Sequence, residues 1–392
     1  MDQLQQYHDT YRSGLLDDVV PFWLRHGADR QNGGVFTALD RAGSVFDTDK
    51  SVWAQGRFAW VLSTIYRTVD RRQEWIDAAK STLDFVRAHC FDSDGRMFFR
   101  VTAEGEPVRK RRYLFSECFA VAGLAAYSRA TGDGESAEQA LKLFTRIVHY
   151  YTPPGSLPPK LIPETRASRS IAMPMILLSI AAELEEATGD PIARRWVDRA
   201  IDEILTYHIR RDPFSVLETV GPNGEFQDHF EGRLITPGHV IEAAWFILEE
   251  SRRRGNDAAL TSTACEIIDW SWDLGWDEEH GGIIYYRDIK GLPLTEYWHD
   301  MKFWWPQNEA IIATLLAYHM TGDEKYAARH AQIHDWTYER LPDPEYGEWF
   351  GYLHRDGTVS TTLKGNLWKG PYHVPRMLWY CSRLTAEMLG GR

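Results

Sequence analysis

Apolar positions recur along this chain at intervals that fit helices. Tyr113 to Ser128, Ile171 to Glu186, His239 to Arg252 and Asn308 to Met320 are broadly apolar over helical lengths. Each is followed by a more polar helical stretch, such as Glu135 to Tyr150 or Pro191 to His208. That alternation predicts an inner layer of helices wrapped by an outer one. One turn joins the members of several pairs: Thr131-Gly132-Asp133, Thr188-Gly189-Asp190 and Thr321-Gly322-Asp323, with Gly255-Asn256-Asp257 a looser copy and Val69-Asp70 a degenerate one. Glycine there can take the left-handed conformation that ends a helix, and the Asp caps the next. The turns return about every 65 residues, marking a repeat of helix pairs.

Between the pairs lies a second signal, glycine followed by alternating aromatics. It occurs at Asn32 to Phe36, Asp94 to Phe99, His280 to Tyr286 and Tyr346 to Phe350, and predicts short hairpins. An N-terminal helix over Gln3 to Arg25 and a last one opening at His373-Val374-Pro375-Arg376, where proline fits only a first turn, bring the count to about twelve. Six pairs with aromatic connections gathered at one end predict an all-α, closed (α/α)6 barrel with short β-hairpins in its loops. Residues 1–392 then form a single catalytic domain.

Composition narrows the partners. The net charge is −12 with no basic stripe, which disfavours nucleic acid and anionic membrane and suits a neutral small molecule. Sixteen Trp residues are more than packing usually requires and fit a sugar site. Cys90, Cys118, Cys265 and Cys381 are widely spaced, so neither a zinc site nor a disulfide framework is expected, and a reducing cytoplasm is the expected location. No basic start with an apolar run, and no apolar segment of about 18 residues, points to secretion or a membrane.

A closed barrel aims the starts of its inner helices at one central pocket. Those starts carry Trp53 and Arg57, Glu117, Met175, His239 and Glu242, Trp305 and Glu309, and His373 with Arg376; Lys302 stands just before the fifth. His239 and Glu242 share a helix face, as do His373 and Arg376. Two imidazoles in one pocket suit proton transfer at a carbon beside a carbonyl, since both acid and base forms exist near neutrality. On opposite faces of that carbon they would invert it, with Arg57 or Arg376 neutralising the enediolate oxygen. Trp53, Glu117, Met175, Lys302 and Trp305 are the candidate substrate contacts. Although His239-x-x-Glu242 could offer two metal ligands, there is no His-Glu-x-x-His and no cysteine cluster, so neither a catalytic metal nor a redox cofactor is expected.

Phe115-Ser-Glu-Cys-Phe119, Pro237-Gly-His239, Lys302-Phe-Trp-Trp-Pro306, Asp343 to Leu353 and His373-Val-Pro-Arg376 resemble the N-acylglucosamine 2-epimerase family, whose mammalian members are also called renin-binding proteins. The resemblance runs from about Asp17 to Leu389. It implies an (α/α)6 barrel that interconverts N-acetyl-D-glucosamine and N-acetyl-D-mannosamine through the open-chain aldehyde and an enediolate. The family's catalytic histidines fall on His239 and His373, and its supporting residues on Arg57, Glu242, Glu309 and Arg376. Mammalian members have Cys where this chain has Pro371, so a thiol there is not part of the chemistry. The resemblance also implies a homodimer and ATP as an allosteric activator that is not hydrolysed. Lys160, Arg166 and Arg169, in a Pro-rich connection without a phosphate loop, are the candidate nucleotide contacts.

Cellobiose 2-epimerases and mannose-type aldose-ketose isomerases share the barrel and the histidine pair and are the nearest alternatives. A glycoside hydrolase would need paired carboxylates, for which Glu117, Glu242 and Glu309 are available. A non-enzymatic protein-binding role would instead need an exposed patch.

Overall fold

The computed structural model describes residues 2–110, 113–152, 157 and 161–391. Among them are twelve long helices: α1 (Asp2–Ser13, carried on to residue 27 by π-helical turns), α2 (Val52–Thr68), α3 (Gln73–His89), α4 (Phe115–Thr131), α5 (Gly134–Tyr151), α6 (Ala172–Thr188), α7 (Pro191–Glu203), α8 (Pro237–Arg253), α9 (Ala258–Gly275), α10 (Trp304–Thr321), α11 (Glu324–Arg340) and α12 (His373–Met388). The even-numbered helices form the inner ring. In α4 and α10 burial is continuous, from Ser116 to Ser128 and from Trp304 to Ala317, because both sides of each helix are covered. The odd-numbered helices form the outer ring and bury one stripe, as α5 does with Ser136, Ala140, Leu143, Phe144, Ile147 and Val148.

The expected turns are present. Gly132, Gly189 and Gly322 end inner helices with φ of 79°, 65° and 67°, and the following aspartates accept amide hydrogen bonds from the next helix. Each inner helix packs on the next, and α12 returns to α2, where Trp379 Nε1 donates to Thr68 Oγ1 at 2.8 Å. The helix paired with α12 is α1, from the other end of the chain. The result is the (α/α)6 barrel that the repeat predicts.

The first helix departs from a regular α-helix. Pro21 lies in the middle of α1, where it has no N–H to donate and crowds the preceding turn; π-helical turns at Gly14–Val19 and Trp23–Gly27 flank it and keep the helix continuous. The expected short aromatic hairpins are present, each closed by a single bridge: Ala28 to Val35, Phe91 to Met97, Trp276 to Ile283 and Pro342 to Trp349.

Three of these hairpins are tied to an inner helix by a side chain that bonds the hairpin backbone. Gln55 of α2 accepts the Val35 amide at 2.7 Å and donates to the Val35 carbonyl at 2.9 Å; Gln307 of α10 does the same with Ile283, at 2.8 and 2.9 Å. Beside them, Lys50 donates to Asp29 at 2.7 Å and Lys302 to Asp277 at 2.9 Å, both lysines fully buried, and each also donates to backbone carbonyls of its hairpin. Lys364 and Asp343 repeat the pair at 2.8 Å. In α4 the glutamine position is taken by Glu117, which accepts the Met97 amide at 3.1 Å and Arg96 Nε at 2.6 Å.

One buried cluster bears on acid stability. The Tyr11 hydroxyl lies 2.9 Å from His330 Nε2 and 2.8 Å from His334 Nδ1, while His330 Nδ1 lies 3.1 Å from the Ile311 carbonyl. His334 donating to Tyr11, Tyr11 to His330 and His330 to Ile311 satisfies the chain with both rings neutral. Burial pushes His330 down to about 3, helped by His334, and pushes His334 down to about 4. An unfolded histidine titrates near 6.5, so the unfolded chain takes up protons first and stability falls as pH drops below about 6.5. Melting temperature is expected to decline toward pH 4, and less steeply in His334→Gln; parallel slopes would remove the cluster from the explanation.

Candidate active site

A close crossing of α2 and α4 sets the position of Arg57. Gly56 makes it possible: a Cβ there would lie 2.2 Å from the Phe119 carbonyl oxygen. The adjacent Arg57 guanidinium therefore lies over the Phe119 ring at 3.9 Å and the Tyr372 ring at 4.7 Å. Burial pulls its pKa down to about 10, and its Nε has no hydrogen-bond partner among the described residues. A largely desolvated cation of this kind is ready for an anion that forms during a reaction.

His373 opens α12 and His239 stands in the first turn of α8. Trp305, from the first turn of α10, packs against both imidazoles, with ring centroids 4.8 Å from His239 and 5.9 Å from His373. Three inner helices thus bring one indole and two imidazoles together.

Each imidazole has a carboxylate at Nδ1. His373 Nδ1 lies 2.7 Å from Glu309 Oε1, and His239 Nδ1 lies 3.4 Å from Glu218 Oε2. With Nδ1–H donated to the carboxylate, Nε2 is left for the substrate. The surroundings of the two dyads differ. Arg376 Nη2 donates to Glu309 Oε1 and Glu242 Oε1, both at 2.6 Å, and Trp245 Nε1 donates to Glu309 Oε2 at 2.8 Å.

Burial, with the nearby charges of Arg376 and Arg57, holds His373 well below the usual histidine range. For His239 burial also acts downward, but the Glu218 hydrogen bond and charge, with Glu242 and Glu309, outweigh it and leave the pKa raised. Burial opposes the charge of Arg376 too, and Glu309, Tyr372 and Glu242 more than restore it. At neutral pH the resting site therefore holds a free base at His373, while the carboxylates around His239 favour its protonated form more than in an ordinary histidine. Glu242, Glu309 and His373 offer ligand atoms within 4.8 Å of one another, and the Arg376 guanidinium already meets both carboxylates of that set.

The structure gathers His239, His373, Arg57, Glu242, Glu309, Arg376 and Trp305. Trp53 stands at the rim against Phe99, Phe119 and Trp368, and Met175 is buried in the first turn of α6. Two expected substrate contacts are used elsewhere. Lys302 spends its ammonium on Asp277 and hairpin carbonyls, and Glu117 spends its carboxylate on Arg96 and the Met97 amide; both hold hairpins to helices. Arg166 is exposed beside Glu231, and Arg169 packs on Tyr207 at 4.2 Å. Lys160 lies outside the described residues. Glu218 was not anticipated, because it lies 21 positions from His239 in no motif and only the fold brings it there.

A cavity of about 650 Å³ lies away from the two histidines. It lies among the C-terminal halves of the inner helices and meets the site through Tyr372 and Arg376. A smaller one beside His373 is lined by Arg57, Asn366, Trp368 and Tyr372. Of the two imidazoles His373 lines this second cavity, together with Arg57, and His239 adjoins it across the Trp305 ring.

The sequence profile of the N-acylglucosamine 2-epimerase (GlcNAc 2-epimerase) family matches residues 34–375. The N-acylglucosamine 2-epimerase of Bos taurus is 39% identical over 381 residues, 95% of this chain and 90% of that protein. The Homo sapiens enzyme of the same name is 36% identical over 389 residues, 95% and 89%. The solved cellobiose 2-epimerase of Spirochaeta thermophila superposes with a TM-score of 0.86 at 22% identity, covering 99% of each chain.

Proposed function

The chain belongs to the N-acylglucosamine 2-epimerase family, and from that premise we propose that it interconverts N-acetyl-D-glucosamine and N-acetyl-D-mannosamine by inverting C2 of the open-chain sugar. The observation that carries the reading is the pair of imidazoles packed on Trp305, each with a carboxylate at Nδ1. One histidine takes the C2 proton, and the C–H electron pair moves into the C1–C2 bond as charge passes to O1. Arg57 neutralises that oxygen, and the other histidine, as imidazolium, returns a proton to the opposite face. Trp305 and Trp53 serve as walls for the sugar. Glu242 and Glu309 are both engaged by Arg376, an arrangement suited to positioning a guanidinium and a histidine rather than to the opposed acid and base of a hydrolase.

The proposal extends to ATP as a non-hydrolysed effector contacting Arg166 and Arg169, to a homodimer, to a cytoplasmic location and to residues 1–392 working as one catalytic domain. The family resemblance supports the effector and the dimer, the widely spaced cysteines support the location, and the repeat of helix pairs supports the single domain. No helix among the described residues is long and apolar enough to cross a membrane.

Proton NMR of N-acetyl-D-mannosamine in deuterium oxide, with and without ATP, tests the reading. N-acetyl-D-glucosamine is expected to appear with deuterium at C2, faster when ATP is present. Turnover with the C2 proton retained would exclude the two-base mechanism, and a rate insensitive to ATP would exclude the effector.

A further inference from the structure

Glu218 lies between the short strands Phe214–Val216 and Thr219–Val220 and is held at both of its ends. Its backbone carbonyl accepts the Ile171 amide at 2.9 Å, at the entrance to α6. Its carboxylate divides its two oxygens. Oε1 accepts the amide of Thr236, the N-cap of α8, and Oε2 faces His239 Nδ1. The carboxylate is thereby anchored to the start of the helix that presents the imidazole, so ring and carboxylate share one frame.

Glu309 plays the matching part for His373, with one difference. Arg376 and Trp245 share the negative charge of Glu309, whereas among the described residues no lysine or arginine forms an ion pair with Glu218. Glu242 of α8 and Glu309 of α10 also act on His239, while Arg376 of α12 and Arg57 of α2 are the cations acting on its partner His373. A carboxylate without a competing cation favours the imidazolium form of its histidine.

We propose that Glu218 is a positioning residue for the epimerisation, fixing the His239 tautomer and supplying the charge that makes His239 the proton donor of the resting pair. The inference rests on the two-histidine reading above. It makes the site asymmetric before substrate arrives, with His373 set to remove a proton and His239 set to deliver one. The division follows from which carboxylate Arg376 reaches.

Glu218→Gln keeps the side-chain length and can still accept from Thr236, but lacks the charge. Inversion is expected to fall about 10²-fold or more, while exchange of the C2 proton by His373 falls much less, so the ratio of exchange to inversion rises. The alkaline limb of kcat/KM is expected to move toward acid by about one pH unit, matched by the His239 imidazole resonances in NMR titration. Glu218→Asp, which keeps the charge on a shorter arm, should restore the alkaline limb more fully than it restores the rate. If Glu218→Gln does not fold, the Asp variant still decides, because its exchange-to-inversion ratio should also rise. An unchanged ratio with an unchanged His239 titration would overturn the proposal. A wild-type protein that neither exchanges nor inverts C2 would fail the parent reading instead, and the NMR titration would still report on the dyad.

Discussion

Replacing either imidazole is expected to lower epimerisation about 10³ to 10⁴-fold, and the two replacements are expected to differ in what they leave behind. In His239→Asn the base His373 remains, held neutral by burial and by Arg376 and Arg57. This variant should therefore wash the C2 proton out of one epimer in deuterium oxide at neutral pH without inverting it. In His373→Asn the survivor is His239, whose pKa is raised through Glu218 and the other carboxylates after burial has acted against it. Its exchange should act on the other epimer and quicken as pH rises through that raised pKa, because only the free base can remove a proton. Single-epimer NMR time courses at several pH values check both variants, with circular dichroism confirming that each is folded. Equal exchange from both variants at every pH would contradict the asymmetry.

Lys302→Met is expected to cost about 3–5 kcal/mol of stability, because it leaves Asp277 as a buried carboxylate short of its ammonium partner and strips a donor from hairpin carbonyls. Arg355 also pairs with Asp277, at 2.8 Å, but from a more exposed position, and should recover only part of the loss. Changing both buried partners, Lys302→Met with Asp277→Leu, should be less harmful than the single change, since matched apolar groups leave no uncompensated charge. Denaturant midpoints measure this. A single variant of unchanged midpoint but raised KM would return Lys302 to the sugar pocket, contrary to where the structure puts its ammonium.

Much of the architecture was legible because the signals were local. A Thr-Gly-Asp turn states in three residues that one helix stops and another starts, and its recurrence supplies the count of pairs. From there the convergence of helix starts places His239, Glu309 and His373 together without any contact being known in advance. What stayed hidden depends on distance. Glu218 reaches His239 only after a strand and a helix have folded beside each other. Lys302 and Glu117 looked like site residues because they stand next to helix starts, and nothing local reveals that their charges are used by Asp277 and Arg96. The comparison that would have warned of this is internal: Lys50 precedes α2 as Lys302 precedes α10, and Gln55 and Gln307 fill in their helices the place that Glu117 fills in α4.

The pairing of α1 with α12 bears on how the protein is made. On the ribosome α1 precedes the other eleven helices and α12 follows them, yet His8 meets Ser382 and Thr385, and Gly14 lies against Leu378. Leu15 and Val19 are buried in the finished ring, on a segment that packs against α12, and Tyr11 meets His330 and His334 of α11. Closure thus joins segments 374 positions apart, as His8 and Ser382 are, a contact of very high order, and the growing chain carries an uncovered apolar stripe on α1 until α12 has been made.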